Sequence, residues 1–262
     1  MKPSTLEEAE SALDRKKHTM LCAKRGSKKK KKVLYNAHYS EDFDAEEMVN
    51  YERVALFFPK PSHRRPLVMV GPHSIGRHEL RRRLLESNKE RFAAAVPHTS
   101  RSRRDDETDG VHYHFVARHA FEADIVLHRF VEHGEYEKQY YGTSLSSIRQ
   151  LVREVKTCVL NLMPQALKLL KASDLKPYVI FIAPPCIEKL KILRQKMGMC
   201  TKDDDLRFTI EEGRQIEENF GHYFDKVIVN SDINRAYAET LREMERIELE
   251  PQWVPYVWMH RS

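Results

Sequence analysis

The sequence predicts an α/β domain built around a parallel sheet, with short β-strands left over towards both ends. Three observations carry this. Wholly apolar runs of strand length, Leu67-Val68-Met69-Val70, Cys158-Val159-Leu160, Tyr178-Val179-Ile180-Phe181-Ile182 and Val227-Ile228-Val229, read as strands buried on both faces. Segments of helical character alternate with them, the pattern of a crossover-connected parallel sheet. The extended stretches 51–56 and 251–255 lie outside this alternation, and two short strands do not make a stable sheet alone.

Taken in order, residues 1–32 are polar and lysine-rich and are expected to be disordered. Val33-Leu34-Tyr35 and 51–56 read as short strands separated by an acidic loop over 41–47, and a proline-rich connector follows over 59–66. After the first core strand, helices are predicted over 79–87, 121–130, 145–156, 206–219 and 233–247. Asp232 is placed to cap the last of these. Pro184-Pro185 ends the central strand.

Composition bounds the function. The 262 residues suffice for one large domain, or one domain and part of a second. Lys and Arg number 45 against 39 Asp and Glu, and much of the excess is the run from Lys28 to Lys32, so no nucleic-acid partner is expected. Cys22, Cys158, Cys186 and Cys200 form no CxxC pair, and no disulfide framework is visible. The first twenty residues are polar, and no apolar run approaches the ~20 residues of a membrane span. An intracellular, soluble chain is expected.

Two clusters carry chemistry. A strand followed by Gly71, four residues, Gly76 and a helix is the setting of a phosphate loop. The next two positions of a working loop are Lys, which follows the phosphates, and Ser or Thr, which binds Mg²⁺. Here they are Arg77 and His78. Arg is not equivalent to Lys, and imidazole is a poor Mg²⁺ ligand. Two readings stand: a strand–turn–helix junction that needs its glycines only for geometry, and a residual nucleotide cradle. The second cluster is the 97–107 segment, with Arg101, Arg103, Arg104 and Glu107, then Gly110, Tyr113 and Phe115, and later Glu132, Gly134, Tyr136, Tyr140, Tyr141, Gly142 and Thr143; it has the arginines and hydroxyls of a phosphate clamp. The alternative is a solvated basic turn.

In this order, Gly71-Pro72 with Gly76, the 97–115 segment, Glu132, Tyr140-Tyr141-Gly142-Thr143, Phe181-Ile182-Ala183-Pro184-Pro185 and Phe224-Asp225-Lys226-Val227-Ile228-Val229-Asn230 resemble the guanylate kinase family. The lysine run before Val33 and the tail Pro251-Gln252-Trp253-Val254-Pro255 resemble membrane-associated guanylate kinase scaffolds, in particular the membrane-palmitoylated-protein, Stardust-like subgroup. The resemblance covers residues 28–258. It implies a P-loop guanylate kinase-like domain over 65–247, preceded by a basic hook segment over 1–32. Residual Src-homology-3 (SH3) strands over 33–64 would be completed by a C-terminal strand within 248–262, with Trp253 and Trp258 as packing residues or, alternatively, as an exposed docking motif.

By that resemblance, Arg101, Arg104, Tyr113 and Tyr141 stand where the family grips the GMP phosphate, and Glu132 and Thr143 where it reads guanine. Pro97 replaces a Ser that helps hold the base. The catalytic half departs further: Asn161 and Met163 replace the paired carboxylates of active members, and Arg207 is the nearest arginine where a phosphate-binding lid is expected. Phosphoryl transfer depends on such charge neutralisation, a single clamp being worth roughly 10³–10⁵ in rate. The implied function is a catalytically inactive protein-interaction module of a cell-polarity or junction scaffold, without cofactor or metal. Its ligands would be a Crumbs-type receptor tail or a phosphopeptide, with Glu107 and Glu132 touching groups beside the phosphate. Acidic lipid or a regulatory protein would meet Lys28 to Lys32, unless that run is a solvated linker. The implied location is cytoplasmic, peripheral at the plasma membrane and cell junctions. The rival is an active or weakly nucleotide-binding guanylate kinase using ATP and GMP.

Overall fold

The computed structural model describes residues 35–36, 52–199 and 201–260. The expectations for 1–32, including the lysine run, and for the acidic loop lie outside these residues. Twelve strands and seven α-helices are described: β1 (Tyr35–Asn36), β2 (Val54–Phe57), β3 (Leu67–Val70), α1 (Arg77–Ser87), β4 (Phe92–Ala93), β5 (His98–Thr99), β6 (His114–Phe115), α2 (Arg118–Val126), β7 (Phe130–Tyr136), β8 (Gln139–Ser144), α3 (Leu145–Arg153), β9 (Thr157–Asn161), α4 (Ala166–Ala172), β10 (Tyr178–Ala183), α5 (Ile187–Lys196), α6 (Asp203–Phe220), β11 (Lys226–Val229), α7 (Ile233–Leu249) and β12 (Gln252–Pro255).

The core is a parallel five-stranded sheet ordered β11-β10-β3-β9-β4. Its apolar runs are buried on both sides because side chains alternate across the pleat. Leu67, Met69, Val159 and Ile180 pack on one side with Leu80 and Leu84 of α1 and Met244 and Ile247 of α7. Val68, Val70, Leu160 and Val179 pack on the other with Ile148 of α3 and Leu167 and Leu170 of α4. Asp232 caps α7 as expected, its Oδ1 accepting from the Asn234 and Arg235 amides.

A second sheet, ordered β1-β7-β8-β5-β6, is mostly antiparallel. Here two sequence expectations are corrected. The helix predicted over 121–130 ends at Val126, and His128 takes a positive φ of 52° that turns the chain into β7; Phe130 belongs to the strand and stacks on Phe121 from across the turn. The helix over 145–156 stops at Arg153, because Val155 adopts φ 59°. Helices α4 and α5 are not among the helices expected from the sequence.

β2 and β12 form a separate antiparallel ribbon, in which Leu56 faces Trp253 and Ala55 faces Val254. Val33–Tyr35 was expected to belong with these fragments. Instead Tyr35–Asn36 pairs with His133–Gly134, because β7 offers an edge on the side away from β8. The two tryptophans also part company. Trp258 is 1% exposed, packs with Phe57 and Val254, and donates through Nε1 to Lys171 O (2.8 Å). Trp253 is 69% exposed, because alternation turns it to the opposite face of the ribbon. Arg65 fastens the ribbon to the core, donating to Lys176 O (2.8 Å), Pro177 O (2.7 Å) and Gln252 Oε1 (3.0 Å).

Candidate functional site

The loop from Gly71 to Gly76 joins β3 to α1. Its glycines are required by close approach: a Cβ on Gly71 would sit 2.5 Å from Ile182 O, and Gly76 has φ 96° with its Cβ position 2.9 Å from Asn230 Nδ2. Buried Asn230 donates from Nδ2 to Ile75 O (2.7 Å), tying the loop to the end of β11. Arg77 Nη1 donates to Leu162 O (3.2 Å), the carbonyl just beyond β9. His78 follows in the first turn of α1.

The loop also binds an anion of its own chain. Glu212, on α6, accepts from the His73 backbone N–H (Oε2, 3.0 Å), and its Oε1 lies 2.5 Å from His73 Nδ1. Burial opposes ionisation of Glu212, but the hydrogen bond and charge of His73 prevail and hold its carboxyl below the usual range. The helix comes this close because residue 213 is glycine; a Cβ there would meet Pro184 at 2.7 and 2.8 Å. Sequence reasoning missed Glu212. The available signal was a glycine inside a charged helical stretch, which marks close approach. Arg207 is exposed near the start of the same helix.

The second sheet presents the other cluster. The register sets Glu132 opposite Thr143, and Thr99 opposite Tyr141, so these four share a face. Arg101 lies two residues beyond Thr99. Its guanidinium grips Glu107 with two hydrogen bonds, Nη1 to Oε2 (2.6 Å) and Nη2 to Oε1, and lies over the Tyr113 ring at 5.0 Å. Glu107 also accepts from the Arg104 amide (2.9 Å). The Arg101 hydrogen bond holds the Glu107 carboxyl down at about 2. Buried Tyr113 meets Tyr141 edge-on, ring centroids 5.9 Å apart. The Arg104 guanidinium has no hydrogen-bond or ion-pair partner among the described residues. Arg101, Glu107, Tyr113 and Tyr141 are thus one cluster, bordered by Arg104.

Glu132 is 4% exposed and accepts from the Met163 amide at 3.3 Å. Burial pushes its carboxyl up to about 7, against the pull of Arg77 and Arg81 on α1. Glu107 and Glu132 were expected to touch a partner; within the protein Glu107 pairs with Arg101 and Glu132 accepts from the Met163 amide. At the end of β9 both amide atoms of Asn161 are buried without a hydrogen-bond partner, and Met163 contributes only its backbone N–H. No group of three or more His, Cys, Asp or Glu among the described residues is arranged to hold a metal ion.

A parallel core carrying a glycine loop is thus joined to a small sheet bearing an Arg–Tyr cluster. Residues 63–247 match the family model described as Guanylate kinase, and the chain belongs to that family. It is 49% identical to "Protein PALS1" of Danio rerio, over 91% of this chain and 35% of that protein. It is 41% identical to "Protein PALS2" of Homo sapiens (91% and 45%), and 40% identical to "MAGUK p55 subfamily member 7" of Danio rerio (90% and 43%). The chain therefore spans less than half the length of each of these curated relatives.

Proposed function

We propose that this chain is a catalytically inactive guanylate kinase-like module of a cell-polarity or junction scaffold, peripheral at the plasma membrane. It binds phosphorylated or acidic segments of partner proteins at the former GMP site. The observation that carries this reading is the contrast between the two halves of the cleft. On the acceptor side, Arg101 is oriented by Glu107 and Tyr113, with the guanidinium of Arg104, unpaired among the described residues, beside it. Oriented arginines are suited to bidentate recognition of phosphate or carboxylate. On the donor side, a loop amide is engaged by Glu212, Arg77 is turned to a carbonyl, and Asn161 and Met163 replace the acids. The phosphate would draw mainly on Arg104, since Glu107 already neutralises Arg101. A Crumbs-type receptor tail is a partner consistent with the PALS relatives, and the ribbon of β2 and β12 is the remnant of an SH3-type unit.

The test is titration of phosphoserine peptides and their unphosphorylated counterparts against wild type, Arg101→Ala and Arg104→Ala. Arg104→Ala is expected to weaken the phosphopeptide at least ten-fold, about 1.4 kcal/mol. Unchanged affinity in both variants for every peptide would overturn the reading. A coupled assay with ATP, Mg²⁺ and GMP is expected to show no turnover.

A further inference from the structure

One serine stands among the arginines of the acceptor cluster, and nothing in the fold uses its hydroxyl. The stretch Thr99-Ser100-Arg101-Ser102-Arg103-Arg104 carries three hydroxyl groups. Thr99 is fully buried, and its Oγ1 donates to Tyr140 O (2.9 Å) and accepts from the Arg101 amide (3.3 Å). Ser100 Oγ donates to Gln139 Oε1 (3.1 Å) and accepts from the Tyr140 amide (2.8 Å). Both hydroxyls therefore belong to the seam between β5 and β8. Ser102 lies beyond the end of β5 and is exposed, and its hydroxyl has no hydrogen-bond partner among the described residues.

The backbone around Ser102 is held in place. Arg101 Nη1 donates to Ser102 O (3.0 Å) as well as to Glu107 Oε2, and Glu107 accepts from the Arg104 amide. The Glu107 amide in turn donates to Arg104 O (3.1 Å). Residues 102 to 104 thus wrap around the Arg101 head without entering a helix or strand. An exposed, irregular stretch of this kind is accessible to a modifying enzyme.

The surrounding charges select the enzyme and the fate of the phosphate. Arg101 precedes Ser102, Arg103 and Arg104 follow it, and the acids Asp105 and Asp106 come only at the third and fourth positions beyond. Arg101 is already neutralised by Glu107. Arg103 is exposed, and neither its guanidinium nor that of Arg104 has a hydrogen-bond or ion-pair partner among the described residues. Two residues span at most ~7 Å of chain, so both heads are within reach of a group on the Ser102 side chain. A phosphoserine brings about −1.5 to −2 charges, which matches two open guanidinium groups.

We propose that Ser102 is a phosphorylation site for an arginine-directed protein kinase, and that its phosphate closes the acceptor site from within the chain. The kinase transfers the γ-phosphoryl group of ATP. The bond from Ser102 Oγ to phosphorus forms, the bond from phosphorus to the β,γ-bridging oxygen breaks, ADP leaves, and the hydroxyl proton passes to the catalytic base of the kinase. The new phosphate occupies Arg103 and Arg104, the cations that a partner's phosphate needs. The inference rests on the reading of the acceptor site given above and names its regulation.

The first arm of the test treats the whole chain with ATP, Mg²⁺ and a Ser/Thr kinase that prefers arginine two residues after its target. Phosphate is expected at Ser102 by mass spectrometry, and incorporation should fall at least five-fold in Ser102→Ala. In the second arm phosphoserine is incorporated at position 102 during synthesis, so that arginine variants are compared without the kinase. By ³¹P NMR this phosphate should titrate at least half a pH unit below that of a free phosphoserine peptide, and Arg103→Ala with Arg104→Ala should abolish the difference. No incorporation, incorporation undiminished in Ser102→Ala, or a titration indifferent to the two arginines would overturn the site. The third arm titrates a phosphoserine peptide. Modification should weaken its binding at least ten-fold, phosphatase should restore it, and Ser102→Ala should bind as unmodified wild type does. Unmodified protein that binds no phosphopeptide would overturn the reading of the acceptor site, which the first two arms do not require. Equal binding by modified and unmodified protein would leave that reading standing and overturn the switch.

Discussion

Replacing Glu132 by Gln should make the protein more stable at alkaline pH and leave its stability nearly unchanged in acid. The carboxyl sits on β7, 4% exposed, and accepts a hydrogen bond from the Met163 amide. Burial raises it from 4.5 to about 7 in the folded state. The native protein therefore binds this proton more tightly than the unfolded chain does. Stability from the protonated form is complete below the unfolded value and is lost progressively as pH rises through the folded one. The gap corresponds to about 3 kcal/mol, at ~1.36 kcal/mol per pH unit. Gln keeps an acceptor for the Met163 amide but has no proton to lose. Urea denaturation of wild type and Glu132→Gln at about pH 4.5 and about pH 8 reads the effect directly, because groups that titrate in both proteins cancel in the difference. The stability difference should move by about 3 kcal/mol in favour of Gln between those two conditions. A difference independent of pH would refute the argument, and with it the conclusion that Glu132 is a desolvated carboxyl.

Three further perturbations test the surrounding structure. Glu212→Ala should expose the His73 amide to hydrogen exchange and cost about 1–2 kcal/mol of stability, while leaving ATP- and GMP-dependent turnover undetectable; retained protection at His73 would contradict the loop contact. Trp258→Ala should cost about 3–5 kcal/mol and Trp253→Ala less than ~0.5 kcal/mol by thermal or chemical denaturation, and equal costs would contradict the facing of the ribbon. His98 is depressed to about 4 by burial and by His114, so it destabilises the fold as pH falls from its ordinary 6.5 towards that value. His98→Gln should retain more stability than wild type over that window in acid denaturation.

How much of this was legible beforehand depends on range. Leu67–Val70 and Tyr178–Ala183 declared themselves as strands because a parallel sheet covered on both faces leaves no polar position in them. Asp232 declared a helix start because capping is local chemistry. The residues proposed to grip a phosphate could be named by resemblance to the family, but their pairing could not. Nothing near Arg101 in the chain says that Glu107 neutralises it, and nothing near Glu132 says that it is dry.

By itself the sequence determined the class of fold and the core strands β3, β9, β10 and β11, which follow from residue identity and short-range periodicity. The tertiary structure alone decided that Glu212 reaches the loop from a helix some 140 residues away, that Tyr35 joins the second sheet, and that one of two neighbouring tryptophans is buried while the other faces out. Each is a matter of which distant surfaces meet, and desolvation and hydrogen-bond satisfaction settle that only once the chain has closed on itself.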